Sequence, residues 1–120
     1  MHAGIDLVEV AQVRDSLAHL GDRYLRGLHT EAELGLLRDG DASQLAWRAA
    51  ERFAAKEAVF KALQIPSSTT VGWRCIELDD RLGVTLHGPA RDWAEQHQVT
   101  TLQVSTTRSD GHAMAVALAG

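Results

Sequence analysis

The sequence predicts a small α+β fold, an antiparallel sheet packed with helices in the order β-α-α-α-β-β-α-β-β. Three features predict it. β-Branched and alternating apolar segments stand near both ends of the chain, around residues 5–10 and 102–118. Between them, residues 41–63 form a long stretch without glycine or proline, rich in alanine and other good helix formers. The later strands are separated by short polar turns, which suit hairpins and not the long crossovers of a parallel sheet.

Ile5 to Val10 reads as the first strand, with Asp6 and Glu9 spaced along it. From Val10 the apolar positions Val13, Leu17 and Leu20 follow a helical stripe that Gly21 ends. Thr30-Glu31-Ala32-Glu33 is a capping box: Thr30 accepts from a free amide while Glu33 reaches back to the Thr30 amide. It announces a short helix through Leu34 and Leu37 that closes near Gly40. Asp41 or Ser43 can cap the longest helix, which runs to about Leu63, and Pro66 limits its extension. Val71 to Asp79 reads as a strand, Asp80 to Gly83 as a turn, and Val84 to His87 as a returning strand. Pro89 suits the first turn of a helix that carries Trp93. Leu102 to Thr106 alternates as a strand, Ser109-Asp110-Gly111 turns, and Met114 to Leu118 returns.

With 120 residues the chain fits one domain, residues 1–120. A core this small leaves a thin stability margin unless copies associate. The net charge of −4 argues against general nucleic-acid binding, which needs a basic face. A lone cysteine, Cys75, forms no internal disulfide and suits a reducing cytoplasm. No leader opens the sequence and no apolar run approaches a membrane span, so a soluble cytoplasmic protein is expected. The six histidines are scattered without metal-ligand spacing, and no Gly-x-Ser-x-Gly elbow accompanies Ser105.

The segment Glu51 to Leu63 is the most unusual. On a helix, Phe53, Glu57 and Phe60 share one face with Lys61 at its margin, and Ala54, Ala55, Ala58 and Ala62 form a stripe of small residues. A carboxylate between two phenylalanines needs a cation, and Lys61, one turn on, is the local candidate. One reading is an ordinary Glu57–Lys61 helix salt bridge worth a few tenths of a kcal/mol. Another is that Asp6 on a central strand and Glu57 on a packed helix converge on one hard cation. Magnesium takes one or two carboxylates, waters and phosphate oxygens. Arg52, Lys56 and Lys61 would add positive charge, which together suits phosphoryl-group transfer.

Gly4-Ile5-Asp6-Leu7-Val8-Glu9, then Arg52-Phe53-Ala54-Ala55-Lys56-Glu57-Ala58 and Lys61-Ala62, resemble the holo-acyl-carrier-protein synthases, the small 4'-phosphopantetheinyl transferases. The Thr-x-x-Glu helix start at Thr30 and the closing segments Val104-Ser105-Thr106-Thr107 and Ala113-Met114-Ala115-Val116 extend the resemblance over nearly the whole chain. It implies a phosphopantetheinyl transferase-like fold and Mg2+-dependent transfer of 4'-phosphopantetheine from coenzyme A to a serine of an acidic acyl carrier protein, releasing adenosine 3',5'-bisphosphate. Asp6 and Glu57 would hold the metal. Glu57, Lys61 and Asp6 would be catalytic, and Arg52, Lys56, Lys61, Ser105 and Arg108 would bind coenzyme A. The resemblance also implies a homotrimer with active sites between protomers, and gives Arg14, Arg23 and Arg26 the role of steering the carrier. The charge and the lack of a long apolar run imply no nucleic-acid or membrane partner. Three positions depart from the family pattern: Arg108 stands where a histidine is usual, Gln12 where an arginine is usual, and Gln64-Ile65-Pro66-Ser67-Ser68 replaces a glycine-rich turn. These bear on the adenylate end of the coenzyme site and on the carrier contact. They keep a second expectation in play, a non-catalytic domain that binds coenzyme A or a carrier protein.

Overall fold

The computed structural model describes all 120 residues. The chain opens with strand β1 (His2–Glu9), followed without a loop by helix α1 (Val10–Leu20), then α2 (Asp22–Leu28) and α3 (Glu31–Arg38). A single 3-10 turn (Ala42–Gln44) leads into the long helix α4 (Leu45–Ala62). A second 3-10 turn (Trp73–Cys75), the hairpin β2 (Ile76–Leu78) and β3 (Val84–Leu86), helix α5 (Gly88–Gln96), and strands β4 (Leu102–Ser109) and β5 (His112–Ala119) complete it.

The α+β class and the antiparallel pairing agree with the sequence, but the sheet is divided. β1, β5 and β4 form one antiparallel sheet with the C-terminal strand in the middle, and β2 with β3 forms a separate hairpin. On β5, Ala113, Ala115, Ala117 and Ala119 all point inward and are buried, while Met114, Val116 and Leu118 point outward. The period of two explains this alternation. The inward alanines meet the alanine stripe of α4, so helix and sheet pack closely. α4 joins the two halves of the core. Its first half packs with α1, α2 and α3 through Val10, Val13, Leu25, Leu34 and Leu37. Its second half packs with the sheet, the hairpin and α5 through Val59, Ile76, Leu78 and Ala90.

Several expectations hold in detail. Thr30 accepts from the Glu33 amide and Glu33 accepts from the Thr30 amide, so the capping box is formed. Asp41 accepts from the Ser43 amide, but it caps the 3-10 turn ahead of α4, and α4 itself starts after Gln44 without a side-chain cap.

Others require correction. Four helices, not three, lie between β1 and the hairpin: α2 was not expected. Gly21, at φ +57°, breaks the chain direction, and the helix that follows buries Leu25 against α4's first half. Of the segment Val71 to Asp79 only Ile76–Leu78 is a strand. Trp73 packs edge-on to both Phe53 and Phe60, at 5.3 and 5.7 Å between ring centres, and its carbonyl accepts from the Lys56 ammonium. These contacts curl the backbone into a 3-10 turn instead of a ladder. Gln64 ends α4 in the left-handed region at φ +56°, a conformation in which glycine is the residue without steric cost.

Candidate active site

Asp6 lies on the inward face of β1, alternating with exposed Ile5 and Leu7, and is nine-tenths buried. Its Oδ1 accepts from the Lys61 ammonium at 2.8 Å, and Lys61 also donates to the Ile5 carbonyl at 3.0 Å. The hydrogen bond to Asp6 raises the Lys61 pKa. Glu57 stands one turn before Lys61 on α4, half-buried and without a salt-bridge partner. Burial and then the adjacent Asp6 carboxyl push Glu57 up to about 7, with Lys61 pulling the other way. The expected Glu57–Lys61 bridge is therefore replaced by Lys61–Asp6: the lysine reaches across from helix to strand, and the two carboxyl groups are left facing each other.

Two carboxyls in contact repel when both are ionised, so the arrangement calls for a proton or a cation between them. Asp6 Oδ2 is buried and has no hydrogen-bond partner. An orphaned anionic oxygen beside a second carboxylate fits one hard divalent cation, the donor set magnesium takes when substrate supplies further oxygens. No third histidine, cysteine or carboxylate joins them.

Lys56 and Arg52 are not at this site. Lys56 is fully buried and gives its three protons to Glu33 Oε1 at 2.7 Å, the Leu28 carbonyl at 2.7 Å and the Trp73 carbonyl at 3.0 Å. Burial lowers its pKa. Arg52, nine-tenths buried, bonds the carbonyls of Leu78 and Asp79, and burial lowers its pKa too. The donors of both are engaged inside the protein, where they tie α4 to α3 and to the hairpin.

The sequence profile of the 4'-phosphopantetheinyl transferase superfamily matches residues 2–117. The chain belongs to this superfamily. A holo-[acyl-carrier-protein] synthase of Solidesulfovibrio magneticus is 38% identical over 117 residues, covering 94% of this chain and 92% of the relative. The holo-[acyl-carrier-protein] synthase of Neisseria meningitidis superposes with a TM-score of 0.81 at 26% identity, covering 99% of this chain and 97% of that one. That of Bacillus anthracis, in complex with CoA (3',5'-ADP), gives 0.72 at 27% identity, covering 98% and 94%.

In this phosphopantetheinyl transferase, Ser105 and Arg108 lie on β4 and do not reach Asp6 or Glu57 of their own chain. Ser105 sits on the outer face of the sheet opposite Val116, at a shallow pocket of about 220 Å3 shared with Ile5 and Met114. Arg108 belongs to the strand and not to the hairpin turn. It pairs with Glu51, donates to Gln44 Oε1 at 2.9 Å and lies over the Trp47 ring, 5.0 Å from its centre. The structure thus brings together Asp6, Glu57 and Lys61 and leaves the other four residues elsewhere.

Tyr24 escaped the sequence reading. It lies on α2, half-buried, and its phenol is raised first by burial and then by the charge of Glu57. The only signal was a lone aromatic between Arg23 and Leu25, in a segment not read as a helix. Glu33 was read only as a cap. Its second role, accepting from Lys56 and from the Leu78 amide at 3.0 Å, spans 23 and 45 residues of sequence and has no local signature.

Proposed function

We propose that this transferase moves the 4'-phosphopantetheine arm of coenzyme A onto a serine hydroxyl of an apo acyl carrier protein, at a magnesium site formed by Asp6 and Glu57. The observation that carries the proposal is the meeting of Asp6, Glu57 and Lys61 at the contact between β1 and α4. The relatives support it: they are holo-[acyl-carrier-protein] synthases, one of them in complex with CoA (3',5'-ADP).

In the transfer, the serine oxygen bonds to the phosphorus that bears pantetheine. The bond from that phosphorus to the bridging oxygen breaks, and adenosine 3',5'-bisphosphate leaves with that oxygen and its electron pair. The serine proton passes to Glu57, directly or through a water. Lys61, whose side chain is about half exposed, would offer a positive charge to the departing bisphosphate. Magnesium, when bound, would neutralise charge on the diphosphate oxygens.

The exposed apolar outer face of the sheet, Ile5, Leu7, Met114, Val116 and Leu118, supports association of copies. We read the assembly as a homotrimer with sites between protomers, in which Ser105 and Arg108 serve the coenzyme A of a neighbouring copy. Arg14, Arg23 and Arg26 are exposed on α1 and α2 and would steer an acidic carrier. In this reading the chain acts as one domain, residues 1–120, in the cytoplasm.

The deciding experiment mixes the chain with coenzyme A, Mg2+ and apo carrier protein and weighs the carrier. A gain of one phosphopantetheine arm that requires all three components is expected. Carrier or coenzyme binding with no mass gain would overturn catalysis in favour of a non-catalytic binding domain.

A further inference from the structure

β1 lies against α4 more closely than any side chain permits. A Cβ built on Gly4 would stand 2.0 Å from the Ala58 carbonyl oxygen, 2.7 Å from the Ala62 nitrogen and 3.0 Å from the Ala58 carbonyl carbon. All three neighbours are helix backbone, so none can rotate away. Gly4 adopts no positive φ, so conformational freedom is not what the position requires. The position requires space.

The contact sits at the site. Gly4 and Asp6 are alternate residues on the inward face of β1. The two residues of α4 that Gly4 touches, Ala58 and Ala62, each follow directly a residue that meets Asp6, namely Glu57 and Lys61. Gly4 pairs with Ala117 and Asp6 with Ala115 on β5, whose inward alanines rest on the same helix. The spacing of strand from helix at Gly4 therefore sets the spacing of Asp6 from both groups on α4.

We infer that Gly4 is a positioning residue for the transfer, acting by steric absence: it lets β1 seat on the Ala58–Ala62 backbone and so holds Asp6 at the separation from Glu57 and Lys61 that the cation site needs. This rests on the metal-site reading given above. A methyl at Gly4 must push the strand away by roughly 1 Å in a close-packed interior. Displacements of that size are enough to cost about 100-fold in rate when they move reacting groups.

The test titrates Mg2+ calorimetrically into wild type, Gly4→Ala, Ala62→Ser and Gly35→Ala, with thermal melts and transfer kinetics alongside. Gly35→Ala is the control, because a Cβ there meets nothing within 4 Å. Gly4→Ala should weaken Mg2+ binding by about tenfold or more and lower kcat by about 100-fold, with partial rescue at raised Mg2+ and an unchanged KM for the carrier. Gly35→Ala should bind Mg2+ as wild type does. A folded Gly4→Ala with wild-type Mg2+ affinity overturns the inference, as does an equal loss in Gly35→Ala. If Gly4→Ala does not fold, Ala62→Ser, which adds one atom to the buried residue whose backbone nitrogen lies against Gly4, decides. A threefold or greater loss of Mg2+ affinity in a chain that melts normally supports the inference, and unchanged affinity overturns it. Wild type that binds no Mg2+ would instead remove the metal-site reading and this inference with it, whereas binding by wild type and Gly4→Ala alike removes only the role of Gly4.

Discussion

Lys61 places its ammonium 2.8 Å from Asp6 Oδ1, joining the end of α4 to β1, and leaves Glu57 one turn earlier facing the same aspartate. A cation site made of Asp6 and Glu57 should fail when either is removed. Asp6→Ala and Glu57→Ala should each abolish transfer and calorimetric Mg2+ binding. Each should also fold, since the Lys61 side chain is about half exposed and its pairing contributes about 1 kcal/mol. Near-normal turnover of either variant at saturating Mg2+ would refute the assignment.

Glu57 also makes a prediction about pH. Its carboxyl is raised to about 7 in the folded chain from 4.5, so between these values the native state binds the extra proton. Stability from this group is present at low pH and lost as pH rises through 7. Because Glu57 is only half-buried, the loss amounts to on the order of 1 kcal/mol after solvent screening. His29, buried and lowered, acts in the opposite direction, so wild type must be compared with Glu57→Gln. In chelator-treated protein the melting temperature of wild type should fall relative to Glu57→Gln from pH 5 to pH 8, and Mg2+ at pH 8 should restore it. Parallel curves would contradict the shared-proton arrangement.

Lys56 and Glu33 form an ion pair with no exposed side-chain surface. Lys56→Met leaves an uncompensated anion and should destabilise the fold by about 3–5 kcal/mol. Glu33→Gln combined with Lys56→Met should recover part of that loss, because both charges are then gone. Chemical denaturation of the two single variants and the double variant measures the coupling. Simple additivity would mean that the pair does not act as a unit.

The outer face of the sheet predicts association. Sedimentation equilibrium of the chain at micromolar concentration should give a trimer, and Val116→Lys or Leu7→Lys should yield monomers with little transfer activity. A fully active monomer would refute the reading of sites between protomers.

Arg108 is held by Glu51 and Gln44 over Trp47 in its own chain. If it also binds a coenzyme phosphate, Arg108→Ala should weaken coenzyme A binding by about 1.5–3 kcal/mol, the range for hydrogen bonds to charged groups. Arg108→His should restore part of the affinity and make it depend on pH near the histidine pKa. Equal dissociation constants for wild type and Arg108→Ala would confine Arg108 to clamping the start of α4.

By itself the sequence determined the α+β class, the capping box at Thr30, the long α4 and the two acids that meet. These depend on short-range periodicity, capping chemistry and two short motifs, one around Asp6 and one around Glu57. α2 was missed because its start depends on the backbone turn at Gly21 and its burial on the first half of α4. The strand expected from Val71 was shortened because the Trp73 ring and carbonyl found partners on α4. Only the tertiary structure decided which charges are at the site. Lys56, Arg52 and Lys61 lie within ten residues of one another and look alike as positive charges on one helix. A helix projects its residues around a full circle, so one lysine enters the core to meet Glu33 while the other crosses to Asp6. Which lysine does which depends on the elements packed around α4, brought there from distances of 23 to 55 residues along the chain.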